Sequence, residues 1–235
     1  MVFAAASLRE AFTSLGEEFK RAHPGVALTF NFAGTQELRT QIEHGAAADV
    51  FASADERHMN ELVKAGRATG PVVFARNEPV VVVAKESADE LREFSDLPHA
   101  ARIVVGAPEV PIGRYTEQLL ERANAHLGPD FRARVEAKIV SRELNVKQVL
   151  TKVRLGEAQA AIVYKSDAKA AEKEVRVVAI PPYMNLIARY PIAVLSAAAH
   201  PRLAREWIEL VLSRRGQETL ARAGFAGPSL APRKP

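Results

Sequence analysis

The first 66 residues run through one local pattern three times: an apolar, strand-like segment hands over to an amphipathic helix. In "VFAAASLREAFTSLGEEFKRAHPG" the strand begins at Val2, and Ser7 with Glu10 has the S-x-x-E spacing of a capping box. Leu8, Ala11, Phe12, Leu15 and Phe19 then recur at helical intervals until His23–Gly25 breaks the pattern. "VALTFNF" alternates apolar and polar positions as a half-buried strand does, and "AGTQELRTQIEHG" predicts a helix that starts near Gly34 or Thr35 and closes at Gly45. "ADVFAS" is a third short strand; Asp55 suits the N-cap of the helix after it, and Gly66 its C-terminal glycine. Strands alternating with helices require right-handed crossovers, so the fold class is α/β with mostly parallel sheets.

The texture changes at "PVVVVAK", a β-branched run from Pro79 that reads as a strand buried on both faces. Strand, loop and helix follow in "ARIVVGAPEVPIGRYTEQLLERANAHLG", helix and strand in "NVKQVLTKVRLGEAQAAIVYKSDA", and another strand in "VRVVAIP". "YPIAVL" is a second apolar stretch, and "PRLAREWIELVLSRRGQETLARAGF" reads as amphipathic helix with Leu203, Trp207, Leu210 and Val211 on one face. The economical organisation is two α/β lobes joined by two crossing strands, with hinges expected at "PVVVVA" and "YPIAVL". Residues 1–80 with 193–235 would form the first lobe, and residues 81–192 the second.

Composition excludes more than it assigns. A net charge of +4 with 26% charged residues describes a mildly basic, mixed surface that suits an anionic ligand. Aromatics make up 6%, and no basic stretch is interleaved with them, so nucleic acid is not an expected partner. The absence of cysteine removes disulfides, thiolate metal sites and cysteine nucleophiles. Apolar runs fall far short of the ~18 to 20 residues of a spanning helix. The strand that follows Met1 leaves no room for a signal peptide, so an exported protein would be represented here in its mature form.

Phosphate-loop, dinucleotide and nucleophile-elbow motifs are missing, and the six histidines include no H-x-x-x-H pair. Asp49 and Asp55 are the best paired carboxylates for an enzyme, although a strand-end turn residue and a helix cap account for them better. What remains is a hydroxyl at two successive strand-to-helix junctions, Ser7 and Thr35, each beside Ala or Gly. Such junctions lie at the carboxyl ends of parallel strands, where the amides of a helix's first turn accept anions. An ordinary N-cap and a ligand contact both stay open for each residue.

"VFAAASL", "FAGTQELRTQIEHGAAADVFASAD", "VGAPEVPIGRY", "AIVYKSDA" and "YPIAV" resemble, in order and spacing, the periplasmic molybdate-binding proteins that deliver molybdate or tungstate to ABC importers. The resemblance runs from Val2 to about Phe225. It implies the two-lobed, type II solute-binding fold, with an oxyanion held in the cleft between lobes and closure linked to binding. It also implies an extracytoplasmic monomer, no cofactor, no catalysis, and a membrane permease as partner. Carried over by position, Ser7, Thr35 and Tyr164 would supply hydroxyls, and Ile112 and Val146 backbone amides, with molybdenum held only as its oxyanion. Thr35 stands where the family has Ser, Ile112 where Ala is frequent, and Asn145 where an acidic residue is common. Arg114 and Lys147 are set aside as solvent-facing charges. The competing readings are a binding protein of the same fold for sulfate, a polyamine or ferric iron, and an enzyme using Asp49 and Asp55. Four tyrosines and no acidic cluster speak against the polyamine and iron readings.

Overall fold

Apolar segments separated by helical ones build two separate sheets in the computed structural model, which describes residues 1–228. The chain divides into two compact units, Met1–Asn77 together with the described residues from Arg189, and Glu78–Ala188. Residues 229–235, which the sequence places in the first lobe, lie outside the described residues.

In the first unit the elements in chain order are β1 (Val2–Ala5), α1 (Arg9–Ala22), β2 (Phe30–Ala33), α2 (Thr35–Glu43), β3 (Val50–Ala52), α3 (Glu56–Lys64) and β4 (Ala68–Asn77). The sheet has the order β2-β1-β3-β10-β4, where β10 is Ala188–Leu195. β1 runs parallel to β2 and β3, and β10 runs antiparallel to β3. Alternation along each strand covers both faces of the sheet. Phe3 and Phe51 join Leu38, Ile42, Met59 and Leu62 from α2 and α3 in one aliphatic cluster. Elsewhere in this unit Phe12 of α1 packs edge-on against Trp207, with ring centroids 5.3 Å apart, and lies 5.7 Å from Phe74 of β4. Trp207 belongs to α8 (Pro201–Leu212), which is followed by α9 (Arg214–Arg222).

The second unit comprises β5 (Pro79–Ala84), β6 (Ile103–Gly106), α4 (Pro111–Leu127), α5 (Phe131–Glu136), β7 (Ile139–Glu143), α6 (Val146–Arg154), β8 (Ala160–Tyr164), α7 (Lys165–Ala170) and β9 (Val175–Val178). Its sheet has the order β7-β6-β8-β5-β9. β6 is parallel to β7 and β8, and β5 is antiparallel to β8 and β9. Both sheets are therefore mixed: parallel crossover units with antiparallel strands added.

Four expectations shift. "PVVVVA" lies wholly in the second unit and "YPIAVL" wholly in the first; the chain changes unit at Asn77/Glu78, just before β5, and at Ala188/Arg189, after the first residue of β10. The expected C-terminal helix is two helices, because the Ser213 hydroxyl accepts the Gly216 N–H as a fresh N-cap. Strand β2 occupies only the last part of "VALTFNF". Ser7 does not cap α1: it sits in a single 3-10 turn, Ala6–Leu8, and α1 starts at Arg9 without a side-chain cap.

One close approach fixes the second unit. A Cβ added at Gly113 would lie 2.0 Å from the Ala107 carbonyl oxygen and 2.5 Å from that of Gly106. Both obstacles are backbone and cannot rotate away, so glycine is what lets the start of α4 settle on the end of β6. Gly113→Ala is expected to destabilise the protein by about 1 to 3 kcal/mol in urea unfolding, as overpacking does; an unchanged midpoint would show that the contact is loose.

Candidate functional site

Because β1, β2 and β3 are parallel, their carboxyl ends lie along one edge of the first sheet, and the chain leaves each of them into a helical turn. Amides of a helix's first turn have no intrahelical acceptor and carry a partial positive charge. The structure places Ser7 and Thr35 at this edge, both buried. Thr35 is the first residue of α2, and Gly34 precedes it as N-cap. The Gly34 N–H donates to the Glu37 carboxylate at 2.8 Å, so Glu37 does part of the capping and Thr35 is released from it. The Thr35 hydroxyl oxygen accepts the Ala54 N–H at 3.2 Å, which ties α2 to the loop after β3 and leaves the hydroxyl proton for another acceptor.

The loop after β3 is itself stitched together. Ser53 donates its hydroxyl to the Asp55 carbonyl at 2.6 Å and accepts the Asp55 N–H at 3.2 Å, while its own N–H reaches the Pro191 carbonyl at 2.9 Å. Asp55 caps α3 by accepting the His58 N–H at 3.0 Å, as the sequence predicts. Asp49 stands at the other end of β3. There its carboxylate accepts the His200 N–H at 2.7 Å and the Met1 amine at 2.7 Å. Desolvation would raise its pKa, but those hydrogen bonds prevail and hold it below the ordinary carboxylate value. With the length of β3 between them, roughly 10 Å, Asp49 and Asp55 are not an acid–base pair. That enzymatic expectation is corrected: both carboxylates anchor backbone.

The second sheet repeats the arrangement. β6, β7 and β8 are parallel, and Ile112, Val146 and Tyr164 each follow or end one of them. Pro111 opens α4 and Ile112 comes next, both buried. Val146 is the first residue of α6, whose N-cap Asn145 accepts the Gln148 N–H on its side-chain oxygen at 3.1 Å. Asn145 thus caps α6 with a neutral oxygen. Tyr164 ends β8, is 1% exposed, and meets Tyr115 of α4 edge-on with ring centroids 6.3 Å apart.

Lys147, set aside as a solvent-facing charge, instead makes an ion pair of 3.1 Å with Asp167, which is fully buried in α7. The pair joins the first turn of α6, which carries Val146, to the helix that begins immediately after Tyr164. Sequence reasoning missed this pair, as it missed Tyr115 and Tyr190. Tyr190 is wholly buried, and its hydroxyl lies 3.0 Å from the Ser7 hydroxyl. The one available signal was that Tyr115 and Tyr190 stand inside quoted motifs, "VPIGRY" and "YPIAV".

Two mixed α/β units, each presenting hydroxyls and first-turn amides at the carboxyl edge of its parallel strands, define the class of bilobal solute-binding proteins. A family profile for bacterial extracellular solute-binding protein matches residues 1–226, and the chain belongs to that family. It is 42% identical over 230 residues to the molybdate-binding protein ModA of Mycobacterium tuberculosis, covering 97% of this chain and 84% of that protein. Among solved structures it is similar to the substrate binding domain of a putative molybdenum ABC transporter from Clostridium difficile. That likeness has 29% identity, 97% and 98% coverage and a TM-score of 0.72. The periplasmic molybdate-binding protein of Azotobacter vinelandii shares the fold, with a TM-score of 0.84 at 19% identity and coverage of 97% and 99%.

Lys147→Met removes the partner of a buried carboxylate, and the loss is expected to cost about 3 to 5 kcal/mol. Denaturant unfolding checks this, with Asp167→Asn as the milder companion; equal, small effects would mean that the pair contributes nothing. Thr35→Val leaves the Ala54 N–H without its acceptor and is expected to cost about 1 to 3 kcal/mol in the same assay.

Proposed function

We propose that this chain is an extracytoplasmic binding protein that captures molybdate or tungstate and delivers it to a membrane ABC permease, acting as a monomer without cofactor, catalysis or nucleic acid. Ser7, Thr35 and Tyr164 would donate hydroxyls, and Ile112 and Val146 backbone amides, to one tetrahedral oxyanion. The observation that carries this reading is the chemistry of the two donor sets. They combine buried hydroxyls with the amides of helix first turns, and the buried carboxylate of Asp167, in the helix that follows Tyr164, is paired with Lys147. The relatives named for molybdate binding support the choice of anion.

Donors alone favour an anion that carries no proton at neutral pH. Monohydrogen phosphate would bring an O–H that only a hydroxyl oxygen could accept, at the loss of that hydroxyl as a donor, and a buried hydrogen bond left unmade costs about 1 to 3 kcal/mol. Sulfate is also fully ionised, so discrimination against it rests on size. Donors fixed by β-strand ends and helix starts cannot follow a smaller anion inward, and its hydrogen bonds are stretched. Molybdate and tungstate are nearly equal in size, and both are expected to bind.

Calorimetric titration of anion-free protein tests this reading. Molybdate and tungstate are expected to bind with one-to-one stoichiometry, and sulfate and phosphate far more weakly. Tight sulfate or phosphate binding with no response to molybdate would overturn the assignment and favour another oxyanion. Ser7→Ala is expected to weaken molybdate binding by about 1 to 3 kcal/mol with a smaller change in fold stability.

A further inference from the structure

Ser7 is not used as a helix cap, so its hydroxyl is held by something else. It lies 3.0 Å from the hydroxyl of Tyr190, and the side-chain amide nitrogen of Asn77 lies 3.5 Å from the same phenolic oxygen. Ser7, Tyr190 and Asn77 are all at most 2% exposed. The Tyr190 ring is clamped edge-on between Phe74, at 6.4 Å and 86°, and Phe225, at 5.4 Å and 80°. Next to it, the Pro191 carbonyl accepts the Ser53 N–H at 2.9 Å, which fixes this end of β10. The phenol therefore has little freedom to move away from Ser7.

An amide nitrogen can only donate, so the Asn77 contact makes the Tyr190 oxygen an acceptor. Either oxygen of the 3.0 Å contact between Tyr190 and Ser7 can be the donor, and a Tyr190 proton given to Ser7 is compatible with the Asn77 contact. With Tyr190 as the donor, the Ser7 oxygen receives a proton and its own proton is left for an acceptor outside the contact. We propose that Tyr190 donates to Ser7 and is thereby a positioning residue which sets the Ser7 hydroxyl as a donor toward the bound oxyanion. It would thereby contribute to rejecting anions that carry a proton of their own. This rests on the oxyanion-binding reading above and adds to it a residue that does not touch the anion.

Tyr190→Phe keeps the ring and its packing and removes only the hydroxyl. Titration of wild type, Tyr190→Phe, Ser7→Ala and the double variant with sodium molybdate and with inorganic phosphate at neutral pH forms the test. Tyr190→Phe is expected to weaken molybdate binding by about three- to tenfold, the size of one net hydrogen bond, and to narrow the preference for molybdate over phosphate. It is expected to cause no further loss once Ser7 is Ala. Unchanged molybdate affinity in Tyr190→Phe, or the same loss in the Ser7→Ala background, overturns the proposal, since a purely structural tyrosine acts independently of Ser7. A wild type that binds no oxyanion overturns both the proposal and the reading beneath it, whereas binding with an additive cycle overturns the proposal alone.

Discussion

Everything at the candidate site depends on parallel strand pairing. When β1, β2 and β3 run the same way, each must be followed by a crossover, and all of the handovers fall on one edge of the sheet. The same holds for β6, β7 and β8. At each handover the first helical amides lack internal acceptors. Two sets of unpaired donors are therefore a consequence of topology before any side chain is chosen. Side chains refine them: Ser7, Thr35 and Tyr164 add hydroxyls there, and Gly113 lets α4 approach β6 closely enough to present Ile112.

The residues around the donors keep them donors. Asp167 would be an unfavourable neighbour for an anion, and its ion pair with Lys147 neutralises it while binding the start of α6 to α7. Asn145 caps α6 with a neutral oxygen. Asp55 and Glu37 spend their carboxylates on backbone amides of α3 and of Gly34. Local charge is thus absorbed into helix starts.

Much of this was legible in the sequence, and the failures have physical causes. Alternating strands and helices, the Asp55 cap, and the glycines at 45 and 66, both with positive φ, follow from local propensity and were read correctly. Ser7 was misread as the cap of α1 because S-x-x-E spacing is a local signal, whereas its actual partner is Tyr190, 183 residues away. The Lys147–Asp167 pair escaped for the same reason, since a helical lysine and a buried aspartate meet only through tertiary packing. The C-terminal helices read as one because apolar periodicity persists through Ser213, and the break is made by its side chain on the Gly216 amide. Strand β4 was hidden by Gly70 and Pro71, which punctuate it as a turn would.

The central claim is that backbone amides at Ile112 and Val146 act together with the Ser7 and Thr35 hydroxyls on one oxyanion. Amide NMR of nitrogen-labelled protein titrated with molybdate tests it most directly. The account predicts large downfield shifts at Ile112 and Val146, with neighbouring changes at Ser7 and Thr35, saturating together at one equivalent. Saturable binding that leaves the Ile112 and Val146 amides in place, or that shifts residues around Asp49 instead, would contradict it.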